Sequence, residues 1–192
     1  MGRIITNEHF GIPRELSRGE LLRRLKSGDV NSCLMFSYLG LDEDLDEVIA
    51  SDKKVLAELG VTYDTVAKSI EELFLSDSDN YNGNPVIRRE FIHSPVCPWD
   101  DYCSVSPFNL SSKVTEIVLV NGEKLEEAIT FMEERGDDGL RCFPELVRRD
   151  LGMIFSDIHP HLIRDHYFFE GHQTPYRVDP RRTVRYLNLG TE

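Results

Sequence analysis

Four of the six histidines, His159, His161, His166 and His172, fall in one stretch, DIHPHLIRDHYFFEGHQTPYRVDP, running from Asp157 to Pro180. Upstream, HSPVCPWDDYC brings Cys97 and Cys103 close together, with His93 four residues before the first cysteine. Thiolates and imidazoles together suit tetrahedral Zn²⁺, and two of each make a closed structural site. The ligands this pattern nominates are Cys97, Cys103, His161 and His166. Pro98 and the Asp100–Asp101 pair favour a tight bend that turns both sulfurs inward. The C-x5-C spacing is wider than the usual cysteine pair of a zinc site, whereas the H-x4-H spacing lies within the zinc range.

A second reading uses overlapping residues. Asp157, His159, His161 and His166 could form an open metal centre, with Glu170 as general base and a water acidified by the metal. HPHLIRDH resembles the HxHxDH motif of metallo-β-lactamase-type hydrolases, but two extra residues stand between His161 and Asp165. That family's chemistry is therefore not carried over. Cysteine nucleophilic catalysis at Cys97 or Cys142 needs a lowered thiol pKa and an orienting group, and neither has a local signature. Cys33, in CLMFSYLG, and Cys142, beside Phe143, read as core thiols. With no Walker-type loop and no GxGxxG, no nucleotide cofactor is expected.

The elements that must position these groups follow from caps and periodicity. Pro160 suits the first position of a helix that places Leu162, Ile163, His166 and Phe169 on one face. On that count His166 points inward, His159 precedes the helix and His172 lies past the stop at Gly171. His161 sits about 140° round an ideal helix from His166, so their convergence needs a distorted first turn.

Further upstream, Ser17 and Glu20 form a capping box for a helix carrying Leu21, Leu22 and Leu25, with Gly28 beyond its end. The apolar run from Cys33 to Leu41 leans towards helix. LDEDLDEVIA sets Leu41, Leu45, Val48 and Ile49 on one helical face, and DKKVLAELG continues with Val55, Leu56 and Leu59 to a C-cap at Gly60. Thr62 caps a further helix to about Leu75, with Val66, Ile70, Leu73 and Phe74 inward.

VLAELGVTYDTVAKSIEEL resembles a helix-turn-helix DNA-binding motif in its Gly60–Val61 turn and in Val66. Leu56 stands where that motif carries alanine, and Ser69 where it is apolar. Asp64, Glu71 and Glu72 against Lys68 make a helix that repels phosphate. A plain helical hairpin packs with the same turn.

SDSDNYNGN, residues 76–84, is polar and turn-rich and marks a border between a helical region, 1–84, and an α+β region, 85–192. VIRREFIH and the β-branched KVTEIVLVN read as strands. GEKLEEAITFMEERG reads as a helix with Leu125, Ala128, Ile129 and Met132 inward. Pro144 opens another, with Leu146, Val147, Leu151, Ile154 and Phe155 in its stripe. RRTVRYLNL closes the chain as a helix, and the arginines from Arg164 to Arg185 are expected to pair with the chain's own acids. Strands followed by helices give an α+β class: a helical N-terminal region, then a small mixed sheet packed with helices around a Cys/His cluster.

Composition sets the outer bounds. The chain has 192 residues, 40% hydrophobic and 29% charged, with a formal net charge of −12. That is a globular mixture, and both halves carry more acid than base. Nucleic acid is disfavoured as a partner, because a polyphosphate backbone attracts positive charge. Four cysteines do not make a disulfide framework at this length. No apolar run suits a bilayer span or a secretory signal, so a soluble cytoplasmic protein is expected. The function expected is non-catalytic: a metal-binding protein, with structural zinc, or a protein-interaction protein meeting another protein or a second copy of itself. The alternatives are a metal-dependent hydrolase using the 157–172 cluster and a helix-turn-helix regulator.

Overall fold

The computed structural model describes residues 16–26, 37–89, 97–99, 116–135, 145–174 and 176–190. Cys33, His93, Cys103 and Cys142 lie outside them, as does Gly28. The architecture is α+β, with helices on both faces of a four-stranded antiparallel sheet.

Helix α1 (Arg18–Lys26) begins as its capping box dictates. The Ser17 N–H and hydroxyl both donate to the Glu20 carboxylate, and the Glu20 N–H donates back to Ser17 Oγ. At the other end Leu25 O accepts the N–H groups of Tyr38 and Leu39, so residues 37–41 return across α1 as bends and turns, without helix. Helix α2 (Leu45–Leu59) merges the two acidic segments into one. Asp44 caps it, and Gly60, left-handed at φ 67°, closes it. Leu41 precedes the helix and is 76% exposed, so the inward face begins at Leu45. Thr62 caps α3 (Tyr63–Leu75), which buries Val66, Ile70, Leu73 and Phe74.

Strands β1 (Asn80–Tyr81), β2 (Asn84–Arg89), β3 (Glu116–Val120) and β4 (Gly152–Ser156) lie side by side in chain order. Asn82 and Gly83, both at positive φ, turn β1 into β2, as Asn-Gly does in a tight hairpin. All five residues of β3 are buried because both sheet faces are covered. Ile117 and Leu119, with their cross-strand neighbours Phe155, Met153 and Val86, face α2, α3 and the C-terminal segments. Val118, Val120, Ile87 and Ile154 face the opposite way, towards α4 (Leu125–Arg135), where Ala128 and Phe131 complete the layer.

Two further sequence expectations change around the sheet. Ile129 is 42% exposed, and Phe131 takes the inward place. The stripe from Leu146 to Phe155 is not one helix: residues 145–148 are helical, Asp150 turns left-handed at φ 57°, and β4 follows. Gly152 makes that strand possible, since a Cβ there would stand 2.4 Å from Leu146 Cδ2 and 3.0 Å from Leu119 O.

Helix α5 (His159–His166) leaves β4 through a two-residue turn and packs against α3, where Arg164 pairs with Glu71 at 2.6 Å. Helix α6 (Pro180–Tyr186) closes the main core with Val184 and Tyr186. Arg177, Arg181, Arg182 and Arg185 all pair with acids, as expected. Among the described residues, no helix is long and apolar enough to cross a membrane.

Candidate metal centre

Helix α5 presents two kinds of histidine. Its apolar residues Leu162 and Ile163 are fully buried, and Leu162 joins Cys97 and Ile158 in a small cluster beneath Tyr38 and Trp99. On that side of the helix His161 and His166 meet Cys97. The Sγ of Cys97 lies 3.4 Å from His166 Nε2, and the two histidine Nε2 atoms lie 3.2 Å apart. All three potential ligand atoms fall within 4.8 Å of one another. Cys97 is fully buried and the histidines partly so, a graded exposure running from sulfur to solvent.

His161 and His166 converge without the distorted first turn that helical phase suggested. The first turn keeps its ordinary bond, Leu162 N–H to Ile158 O at 3.0 Å. The last turn is the widened one: Tyr167, left-handed at φ 57°, donates its N–H to Leu162 O, five residues back rather than four. The helix stops there, so Phe169 is not part of its face.

Two neighbours fix the rings. His161 Nδ1 lies 2.7 Å from Asp165 Oδ2, one turn along α5. Trp99 stacks on His166 with ring centroids 4.3 Å apart and planes 10° from parallel, and its edge meets Phe168. Trp99 was not among the residues singled out from the sequence. Its signal was proximity alone, as the chain's one tryptophan two residues beyond Cys97.

His159 is the correction to the sequence reading. It is the first residue of α5, not a residue before it, and it is the fully buried histidine among the described residues, whereas His166 is partly exposed. Pro160 takes the second helical position, and His159, two turns before His166 on the same face, is the one carried fully into the core. The Ser156 N–H donates to His159 Nδ1 at 2.8 Å, so Nε2 carries the proton and donates to Glu170 Oε1 at 3.0 Å. Thr174 donates its hydroxyl to the other Glu170 oxygen at 3.1 Å, and Arg177 donates to the Glu170 carbonyl. Ser156 Oγ also lies 3.2 Å from His159 Nδ1, giving a Ser–His–Glu chain. The acceptor nitrogen a catalytic base needs is already taken there by a backbone N–H. His172 is exposed in the turn after Gly171.

The electrostatics around this region are negative. Asp157 and Glu170 are 4% and 5% exposed. Burial pushes the Tyr38 phenol well above its ordinary range, and the charges of Glu170, Cys97 and Asp157 push it further, so Tyr38 stays neutral. The fold and site together define an α+β protein with a Cys/His/His cluster at metal-binding distance, compatible with a metal ion. Comparison with protein-family models, with curated proteins and with solved structures gives no match.

Proposed function

We propose that this is a non-catalytic metal-binding protein in which Cys97, His161 and His166 hold one zinc ion and tie the segment around Cys97 to α5. The observation that carries the reading is the pair of distances between ligand atoms. Zn–N bonds near 2.0 Å and Zn–S bonds near 2.3 Å, set at the tetrahedral angle, require nitrogens about 3.3 Å apart and nitrogen and sulfur about 3.5 Å apart. The separations here are 3.2 Å and 3.4 Å. One thiolate with two imidazoles selects a borderline-soft transition ion over Mg²⁺ or Ca²⁺, which prefer oxygen. Cys103, outside the described residues, is the proposed fourth ligand.

A structural role suits the surroundings better than a hydrolytic one. His159 and Glu170, which an open catalytic centre would use, bond to each other and to Ser156 and Thr174. As a helix-turn-helix reader the chain would present α3, yet that helix spends its apolar face on the core and shows Asp64, Lys68 and Glu72 outside.

Protein purified without a metal-affinity tag is expected to carry about one zinc per chain by elemental analysis. Chelation should cost about 3 kcal/mol of stability, a fall of roughly 6–12 °C in Tm for a chain of this size. Cys97→Ser should lose both the metal and that stability. Metal-free protein whose melting does not respond to chelator or to added zinc sinks the reading. A Cys97→Ser protein that folds normally and keeps its zinc on histidines would turn it towards the hydrolase.

A further inference from the structure

The structure assigns Asp165 as the positioning residue of this centre: it holds His161 in the one tautomer whose Nε2 lone pair faces Cys97 and His166. The inference rests on the metal reading above and adds a residue that binds no metal itself. An ionised carboxylate can only accept, so at 2.7 Å from Asp165 Oδ2 the Nδ1 of His161 must carry the hydrogen. Neutral imidazole has one N–H, and Nε2 is then left with its lone pair. Nε2 is also the atom turned to the other ligands, 3.2 Å from His166 Nε2.

Helix geometry supplies the placement. Positions 161 and 165 are one turn apart on the same face of α5, so the carboxylate arrives with the helix and needs no separate loop. The Asp165 side chain is 39% exposed against 17% for His161, so it caps the solvent side of the imidazole rather than entering the site. His166 is held differently, by the stacked indole of Trp99. The two imidazoles are thus set by a hydrogen bond and by a ring face, and the site is arranged before the ion arrives. Carboxylate–histidine–metal chains of this kind raise ligand basicity as well as fixing the ring.

The test is zinc affinity, measured by competition with a chromophoric chelator, beside the imidazole tautomers of metal-free protein read from long-range ¹H–¹⁵N NMR correlations. Wild type should show His161 with its proton on Nδ1. Asp165→Asn, whose amide can turn a donor towards Nδ1, should show a mixture and bind zinc about 10–100-fold more weakly. Asp165→Glu should recover part of the affinity, which a merely structural role would not predict. A zinc-binding wild type matched in affinity and tautomer by Asp165→Asn overturns the inference and leaves the metal reading standing. A wild type that takes up no zinc overturns both.

Discussion

Asp150 gathers three cations on one carboxylate: Arg185, Arg182 at 3.1 Å and Lys124 at 3.6 Å. Its backbone is left-handed at φ 57°, a conformation Asp tolerates because its short polar side chain bonds locally. Burial alone would raise its carboxyl pKa, but the hydrogen bond and charge of Arg185, with Arg182 and Lys124, outweigh it and hold the group below its ordinary 3.8. A carboxyl with a depressed native pKa contributes stability above 3.8 that is lost as pH falls through the lower value. Asp150→Asn keeps the turn and removes the charge. With the side chain 33% exposed and screened, it should cost about 1 kcal/mol at neutral pH. The gap from wild type in urea denaturation should close below pH 3.8. A gap constant across that range would mean the ion pairs contribute nothing.

At the scale of elements, the ends of helices decide where the functional groups point. Gly60 donates to Ala57 O and Leu56 O from a left-handed φ of 67° and so lets α3 leave α2 at the angle that packs it on α5. Among the described residues nothing lies within 4 Å of a Cβ built there, so Gly60→Ala meets only backbone strain. It should lower stability by about 1 kcal/mol, and Gly60→Asn by less. A denaturation midpoint that falls with unchanged slope would confirm this. An unchanged midpoint would show that α2 can end without glycine.

Over the whole molecule, a buried ion pair ties α2 to the C-terminal segment. Asp52 is 1% exposed and Arg177 9% exposed at their side chains, and Arg177 also reaches the Glu170 carbonyl. Burial raises the Asp52 pKa above 3.8 even though Arg177 pulls it down. Arg177→Met leaves that carboxylate buried without its partner and should cost about 3–5 kcal/mol near neutral pH. Because a raised native pKa makes the folded state the better proton binder, the deficit should shrink as pH falls towards 3.8. The double variant Asp52→Leu with Arg177→Met should lie nearer to wild type than Arg177→Met alone. If it is no better, the pair itself, and not the stranded charge, is what the fold requires.

Much of the local structure was legible in the residues. The Ser17–Glu20 box, the Thr62 cap, the Gly60 stop and the β-branched run of β3 are short-range features whose hydrogen bonds and sterics close within a few residues. The chemistry of the candidate centre was legible too, because only thiols and imidazoles bind as they do, and Cys97, His161 and His166 were named on that ground. Other features depended on partners far along the chain. Leu146 to Phe155 fits a helical stripe by spacing, and only pairing with β3 on one side and a Cβ-free Gly152 against Leu119 made its end a strand. Ile129 and Phe131 exchanged roles because the sheet face under α4 selected the aromatic ring. His159 became the interior histidine because the buried Glu170, eleven residues on, partners it. Sequence alone determined which residues could bind a metal. Tertiary packing decided which of them meet, because Cys97 and His166 stand 69 residues apart and only a folded core brings their lone pairs to one point.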